Sequence, residues 1–463
     1  MMHLILWKEW NEAFSSLREA FSRQTTFFWV LIACAGMTIR SDKLGVTSII
    51  RTLGLTGVSY YGLLRAFHSN AIDLDKLLKL WVELCLRIFK PVCVDGYVLL
   101  IGDGIKVAKE GKKMPAVKSL HQDSQSNAKA EFIMGHYLQA FSLAVVSPIG
   151  NCAAIPLVAQ IHDGIVYSNR CAATIIDKFM KLFSQLVDIA GHPAILVADA
   201  YYATSSVIHS ALNQGCHLLT RVQHNAVAYH LPVESGKKKR GRPPKYGEKV
   251  WLRELFSQFD EISTQVEDCR FYCINLVWKQ AKQLVRFVLI EHETKGRCIV
   301  MTTHLKLEPL TIIKIYRIRW MIETGFKQAI HVIGTYSYHF WMKAMDPILR
   351  RSKGQWLHRK STEYRQQVER KLKAYHVHVM LGCICQGLAL HLALNFRTEV
   401  WSSFSGWLRT MRKNQEPSEL VVVNALAATL PNFLRANRKG PDWRKFLLER
   451  LDLDRKGPLS RVG

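Results

Sequence analysis

One short segment, Ala194–Ala200 (AILVADA), constrains the fold more than any other part of the sequence. Its first five residues are all apolar, without the alternating polar residues of a strand that has one solvated face. Such a short, uniform run is typical of a strand covered on both faces, as in parallel sheets. Because parallel strands need long crossover connections, usually helices, an α/β architecture is expected.

The sequence on both sides of this segment alternates between helical and strand-like patterns. A helical pattern covers Ala172–Ile189, and the apolar segment is followed by a helical pattern at 204–215 and a strand-like run at 216–222. Three β-prone runs come earlier in the chain: VLLIGDGIKVA, HYLQAFSLAVV and NCAAIPLVAQI. This order predicts an α/β core that begins near residue 96.

Charge is the most unusual feature of the composition. The 463 residues include 63 Lys and Arg against 37 Asp and Glu, a formal net charge of +26 with a pI near 9.7. Such an excess favours a polyanionic partner, because cations that neutralise phosphates release condensed counterions. An anionic membrane surface is the alternative, but that would concentrate the charge in one amphipathic helix, whereas basic clusters recur along this chain. Nucleic acid is therefore the expected partner.

Five regions follow from the changes of pattern. Residues 1–95 are predicted to be a helical DNA-binding domain, 96–221 the first part of the α/β core, and 222–305 a β-rich insertion with a basic loop. Residues 306–345 are predicted to form a helix that closes the core, and 346–463 a helical region that binds DNA or joins subunits. The predicted fold is thus an interrupted α/β core flanked by all-α regions.

Gly45–Phe67 contains two short helical patterns that separate near Gly54. This arrangement suits a helix-turn-helix whose second helix presents Ser59, Tyr60 and Arg65. The same pattern arises from plain helix packing, so both interpretations stay open.

The apolar segment Tyr375–Leu394 is long enough to cross a membrane, but it contains three His and a Gln. A buried bundle helix is predicted there. The eleven cysteines show no paired CxxC spacing, which favours reduced structural thiols over a zinc site. Without a visible targeting segment, a cytoplasmic protein is expected, with no membrane partner.

Two aspartates follow strand-like runs. Metal-dependent phosphoryl transfer needs carboxylates that converge from different elements, and α/β folds place their sites at the carboxyl ends of strands. Asp103 ends VLLIGD and Asp199 ends ILVAD, so both are expected at such ends. An Asp in this context is also commonly a turn or cap residue. Asp95 and Asp163 compete as the first acid, but Asp103 is preferred because five apolar or small residues precede it.

The third carboxylate is Glu323, in a helix predicted from Pro309 to about Val332. At 100° per residue, one stripe contains Tyr316, Arg319, Glu323, Lys327 and Ile330. The stripe beside it is apolar and contains Ile315, Ile318, Ile322, Phe326 and Ala329. Glu323 is therefore expected at the edge of the buried face. The alternative is an ion pair with Arg319 or Lys327 on a solvated face.

Together these features resemble the DDE transposases of the IS4 superfamily. The resemblance covers about Tyr97 to Trp341 and consists of two strands that each carry an Asp, an inserted β-rich region, and a helix with Y-x-x-R-x-x-x-E. The signature residues here are Tyr316, Arg319, Trp320, Ile322 and Glu323. The segment ADAYYA is similar to the second-Asp region of the family. Where the family has Lys seven positions after the Glu, this chain has Ile330, and Lys327 is the nearest basic residue on the stripe.

The resemblance implies a ribonuclease H-like core in which Asp103, Asp199 and Glu323 bind two divalent cations, magnesium or alternatively manganese. Water would hydrolyse a strand at the transposon end, and the freed 3′ hydroxyl would then attack target DNA. Tyr316, Arg319, Trp320 and Lys327 would contact DNA. The implied partners are the double-stranded inverted-repeat ends and target DNA, bound by a homodimer in the bacterial cytoplasm.

Three further segments are candidates for DNA contact. KKKRGRPPK (237–245) resembles the AT-hook, whose Arg side chains enter the minor groove, although a solvated linker is the alternative. Its cations are Lys237, Lys238, Lys239, Arg240, Arg242 and Lys245. Arg350–Lys373 is a second basic strip, with a solvated helix as the alternative. The aromatic residues of 336–341 would stack on an unpaired base or else form a buried cluster.

Two other functions stay open at the sequence level. A metal-dependent nuclease of the same fold would keep the three acids but would not join strands. A DNA-binding regulator without catalysis would not need an intact Asp, Asp, Glu set, and that set argues against it.

Overall fold

The computed structural model describes residues 2–43, 45–122, 130–168, 173–232, 244–266, 268–349, 351–352, 354–436 and 442–454. The helices are α1 Met2–Ser15, α2 Gln24–Ile39, α3 Gly45–Thr52, α4 Ser59–Phe67, α5 Leu74–Ile88, α6 Ile175–Ala190, α7 Ser205–Asn213, α8 Phe259–Ile262, α9 Pro309–Ile318, α10 Trp320–Gln328, α11 Thr362–Asn395, α12 Arg397–Ser403, α13 Glu419–Arg435 and α14 Trp443–Leu448. The strands are β1 Lys90–Pro91, β2 Cys93–Val94, β3 Tyr97–Ala108, β4 Lys118–His121, β5 Phe132–Val146, β6 Cys152–Ile161, β7 Ile165–Val166, β8 Ala194–Ala198, β9 His217–Val222, β10 Val227–Tyr229, β11 Lys249–Trp251, β12 Thr264–Val266, β13 Cys269–Trp278, β14 Gln283–His292, β15 Gly296–Thr302 and β16 Gln355–Trp356.

The chain forms a mixed α/β sheet core with flanking helices, and it divides into two compact units. The first unit takes its residues from Met1–Lys90, Gly104–Ala172 and Glu323–Gly463, and the second from Pro91–Asp103 and Ala173–Ile322. The five predicted domains follow different boundaries and stay a prediction.

The second unit contains three adjacent parallel strands. The part of β3 that lies in this unit pairs with β8, which in turn pairs with β9. All five residues of β8 are completely buried, as the uniform apolar pattern predicts. The helix α6 before β8 starts with a capping box between Thr174 and Asp177 and ends at Gly191, whose φ of 65° suits glycine. These elements are the strand, helix and strand series that the sequence predicts.

The remainder of the second unit's sheet is antiparallel. Beyond β9 the strand order is β15, β14, β13, β10 and β11, and β12 pairs with the other side of β13. The long hairpin of β13 and β14 pairs ten residues of each strand, from Cys269 opposite His292 to Trp278 opposite Gln283. The region 222–305 is thus rich in β-structure, and its status as an insertion stays a prediction.

The first unit combines a small antiparallel sheet with a helical bundle. Strand β5 pairs with β4 and β6, and the long helix α11 packs against β6, where His376 Nε2 accepts the Ile161 N–H at 3.1 Å. Helix α2 packs against α3, α4 and α11. Gly62 allows the close approach of α4 to α2, because a Cβ there would lie 2.3 Å from the Trp29 ring.

Within the described part of the chain, α11 is one helix that is long and apolar enough to cross a membrane. However, 83% of its most apolar window is buried inside the protein. Its His378 is fully buried, and its Nδ1 donates a hydrogen bond to the Thr335 carbonyl oxygen at 3.0 Å. The predicted buried bundle helix at Tyr375–Leu394 is therefore found.

The flanking regions are not entirely helical as predicted. The N-terminal helices end at Ile88, and residues 90–94 form β1 and β2. In the C-terminal region, β16 pairs in parallel with β7. The extended backbone at these places finds hydrogen-bond partners on neighbouring chain segments, a long-range effect that local helical periodicity does not reveal.

Candidate active site

The two aspartates predicted as metal ligands lie at the same level of neighbouring strands. In the parallel pair of β3 and β8, Ile101 is opposite Val197. Asp103 and Asp199 are each two residues further along the chain. Because adjacent strands are about 4.8 Å apart, the shared level brings the two carboxylates to one edge of the second unit's sheet.

The prediction that Asp103 ends its strand is wrong. Strand β3 continues through Asp103 to Ala108, and only its pairing with β8 ends at Ile101. The Gly residues on both sides of Asp103 suggested a turn, but β3 keeps extended geometry through both. Asp199, by contrast, does follow directly after the last residue of its strand.

Asp199 accepts hydrogen bonds at both its side chain and its backbone. Its Oδ1 accepts the Tyr201 N–H at 2.9 Å, so that it caps the short 3₁₀ turn Ala200–Tyr202. Its carbonyl oxygen accepts the hydroxyl of the fully buried Thr220 at 2.7 Å. Asp199 therefore does act as a cap residue, which was the alternative to a metal ligand. The same contacts fix the direction of its carboxylate.

Arg319 brings a positive charge to Asp103. Its Nη1 lies 3.3 Å from Asp103 Oδ2, and the Arg319 side chain is only 8% exposed. The same guanidinium lies 4.8 Å from the centre of the Trp320 ring and 5.9 Å from that of Tyr316. Two aromatic rings of the predicted signature thus lie beside the guanidinium that pairs with Asp103.

The helix that carries the signature is interrupted, whereas one helix from Pro309 to about Val332 was predicted. Helix α9 ends at Ile318, and α10 begins at Trp320. Around Arg319 the hydrogen bonds join residues three apart, since its N–H bonds to the Tyr316 oxygen and its own oxygen accepts the Ile322 N–H, both at 3.2 Å. The helix therefore tightens to 3₁₀ spacing at the buried arginine. After α10, a π-helical turn covers Ala329–Ile333.

A further cation, Arg221, was missed by sequence reasoning. In the parallel pair of β8 and β9, Ala198 is opposite Thr220, and the next residues are Asp199 and the exposed Arg221. Burial raises the pKa of the Tyr316 hydroxyl, while Arg319 and Arg221 act in the opposite direction. Tyr316 therefore stays protonated at neutral pH and can donate a hydrogen bond. The available signal was a lone arginine near the end of the strand-like run at 216–222.

Glu323 belongs to the first unit and is exposed. Its helix is anchored on the buried side by Ile322, and Gln386 of α11 donates to the Gly325 carbonyl oxygen at 3.0 Å. At the end of the π-helical turn, the buried Arg40 donates to the carbonyl oxygens of Ile333 at 3.0 Å and Gly334 at 2.9 Å. These contacts fix the backbone that carries Glu323.

The apolar stripe of the signature helix is only partly buried. Ile315, Ile322 and Ala329 are buried, whereas Ile318 and Phe326 are half-buried. Of the other predicted DNA contacts, Lys327 and Trp320 are exposed, the latter by 58%. Ile330, at the position of the family's Lys, is 40% exposed.

The basic segment 237–245 is described only in part. Lys237, Lys238, Lys239, Arg240 and Arg242 lie outside the described residues. Lys245 is described and exposed, and the residues from Tyr246 to Lys249 are half-buried or exposed. The AT-hook interpretation of this segment stays a prediction.

The aromatic segment after the signature helix divides into two groups. Tyr336, Tyr338 and Phe340 are at most 5% exposed and form part of a buried cluster. Tyr338 stacks on His378 with 5.2 Å between ring centres. Trp341, in contrast, is 63% exposed. The buried-cluster interpretation is therefore correct for three residues, and Trp341 stays available for contact with a ligand.

Carboxylate oxygens are the ligands that magnesium prefers, and the pair Asp103 and Asp199 suits it in chemistry and in position. Among the described residues, no group of three or more His, Cys, Asp or Glu side chains is arranged to hold a metal ion. The ten described cysteines are all free thiols.

Comparison with known families agrees with this geometry. A family model described as DDE superfamily endonuclease matches residues 16–271, more than half of the 463-residue chain. The chain belongs to the DDE superfamily endonucleases, enzymes that cleave DNA and generally use divalent metals. The matched region includes Asp103 and Asp199 and ends before Glu323. A search of curated proteins found no match.

Proposed function

We propose that this DDE endonuclease is a transposase of the IS4 superfamily with a ribonuclease H-like core. It cuts the ends of its element and joins the freed 3′ hydroxyl to target DNA, acting as a homodimer on paired double-stranded ends. The observation that carries the proposal is the shared level of Asp103 and Asp199 on adjacent parallel strands, in a chain of a DNA-cleaving family.

Asp103, Asp199 and Glu323 would hold two divalent cations, magnesium or manganese. When bound, such ions lower the pKa of water and stabilise the charge on the attacking and leaving oxygens. Asp103 and Asp199 contribute hard oxygen ligands from a rigid sheet edge, which limits their movement during the reaction.

The protein's own cations orient the substrate. Arg319 keeps the Asp103 carboxylate in place through its Nη1, and its planar guanidinium also suits a phosphate. Arg221 is exposed and lies beside Asp199 in the strand register, where it can bind a DNA phosphate. Tyr316 donates a hydrogen bond from its hydroxyl to a phosphate oxygen near the cut, since burial raises its pKa and keeps the hydroxyl protonated. Positive charge thus surrounds the scissile strand.

The experiment supplies purified protein with linear DNA that carries the element's own inverted repeats, a supercoiled target plasmid and magnesium. The products are separated on denaturing gels, and joined products are sequenced across the junction. The transposase proposal expects end cleavage followed by joined molecules. Asp199→Asn should abolish both while DNA binding stays within about twofold, because the change removes a ligand charge and leaves the shape.

Asp163→Asn is the matched control. Asp163 pairs with Lys118 at 2.7 Å and is not one of the proposed ligands, so cutting should persist. Cleavage without joined product would replace the transposase proposal with a metal-dependent nuclease. Tight binding without cleavage would replace it with a DNA-binding regulator.

A further inference from the structure

A cavity of about 810 Å³ lies among the helices of the first unit. Its walls come from the start of α2, from α4, from α11 and from the chain just after α14. Four arginines line it, namely Arg23, Arg65, Arg370 and Arg450. Ser22, Thr25 and Ser59 add hydroxyl or backbone donors. The cavity therefore combines positively charged hydrogen-bond donors with apolar surface from residues such as Trp29 and Ala66.

A second cavity of about 950 Å³ continues from the first. The two share Arg65, His68 and Arg370, and the second adds Lys343 and Lys371. We call the two cavities together the basic groove. Its six cations come from five separate segments of one compact unit, so a single fold assembles them.

The basic groove has no carboxylate among its described lining residues. Arg23, Arg65 and Arg370 make no ion pair within the described part of the chain, whereas Arg450 pairs with Glu449 at 3.5 Å. Burial lowers the pKa of His68, and Lys371 and Arg370 lower it further. The cations of the groove thus repel one another and would be stabilised by an anion.

Exposed aromatic rings lie along the same groove. Trp341 lines the second cavity and is 63% exposed, and Tyr61 lines the first and is 62% exposed. A surface that combines arginines with exposed rings suits a single nucleic-acid strand, because phosphates pair with the arginines while unpaired bases stack on the rings.

We propose that the basic groove binds a single strand of DNA, with phosphates at Arg65 and Arg370 and an unpaired base stacked on Trp341. This inference rests on the proposed function only in taking DNA as the substrate. The strand contacts are independent of base sequence, since arginine to phosphate pairs and base stacking do not read base edges.

The test uses fluorescence anisotropy with a fluorescein-labelled 20-nucleotide oligo-dT and a 20-base-pair duplex, in EDTA. EDTA prevents metal-dependent cleavage, so failure of the proposed function does not affect the readout. Arg65→Ala with Arg370→Ala should weaken oligo-dT binding at least tenfold and reduce the salt slope by about 1.4, because single strands contribute about 0.7 per phosphate contact. Trp341→Ala should weaken it about tenfold.

Arg87→Ala is the matched control, since Arg87 is an exposed arginine on α5 outside the groove. All the substituted side chains are exposed, so thermal unfolding of each variant should match the parent chain. Unchanged oligo-dT affinity in the double variant would overturn the proposal. Equal losses from Arg87→Ala would also overturn it, as would losses confined to the duplex.

Discussion

Arg319 binds Asp103 across 216 residues of sequence, with 3.3 Å between Nη1 and Oδ2. The pair lies within one compact unit and joins a signature residue to the first of the predicted metal ligands. Because Asp103 is 17% exposed and Arg319 only 8%, solvent screens this pair less than an exposed one. The contact therefore acts both on the stability of the unit and on the position of the carboxylate.

Arg319→Ala should lower the free energy of unfolding by about 2 kcal/mol, since it removes a charged hydrogen bond and leaves Asp103 without this partner. It should also reduce DNA cleavage at least a hundredfold. Urea unfolding and single-turnover cleavage measure the two effects. The control is Arg317→Ala, an exposed arginine two residues away, which should change stability by less than about 0.5 kcal/mol. Equal effects of the two variants would contradict the assigned role of Arg319.

Arg40→Met should destabilise the first unit. The buried guanidinium donates to the oxygens of Gly45, Ile333 and Gly334, and methionine leaves these acceptors without it. A loss of about 3 kcal/mol in the free energy of unfolding is expected. Cleavage should also fall at temperatures where the variant is fully folded, because the helix with Glu323 loses its anchor. Arg87→Met is the exposed control. If Arg40→Met lost as little stability as this control, Arg40 would not anchor the helix.

Stability should depend on pH through His217. Its ring lies 4.4 Å from the His304 ring and 4.9 Å from that of Tyr97, and burial together with His304 lowers its pKa to about 4. The unfolded chain, with a pKa near 6.5, binds more protons than the folded chain between these values, so stability is complete above about pH 6.5 and is lost as the pH falls towards 4.

The His217 contribution should be about 1 kcal/mol between pH 7.5 and pH 5, since solvent reaches part of the ring and reduces the effect of the full pKa shift. Urea unfolding at both pH values measures it as the difference between the parent chain and His217→Gln. The variant should show the smaller pH dependence, since glutamine does not titrate. An identical pH dependence in the two chains would show that His217 does not have the lowered pKa.

Local patterns in the sequence were sufficient to predict the core elements near Asp199. The apolar run AILVA became β8, and the amphipathic stretches before and after it became α6 and α7. Each of these elements is specified by its own periodicity and caps. The shared level of Asp103 and Asp199 follows once β3 and β8 are paired in parallel, because each aspartate lies two residues beyond the last pair of that register.

Long-range contacts account for what the sequence did not predict. Strand β3 runs past Asp103 because it also pairs with β5, and the helix tightens at Arg319, whose side chain contacts Asp103 from a distant part of the chain. Arg221 was overlooked since one exposed arginine within a strand is unremarkable until the register places it beside Asp199. The basic groove joins five segments that no local pattern connects.

The most direct test of the central claim exchanges the metal at Asp199. Asp199→Cys places a thiolate where a carboxylate oxygen is proposed to bind the ion, and thiolate ligands disfavour magnesium relative to softer metals such as manganese. Cleavage of inverted-repeat DNA is measured in magnesium and in manganese, with Asp163→Cys as control. If Asp199 binds the metal ion, Asp199→Cys raises the manganese-to-magnesium rate ratio at least tenfold above that of the parent chain, while Asp163→Cys leaves it unchanged. An Asp199→Cys enzyme that cuts DNA with the parent ratio would contradict metal binding at this residue.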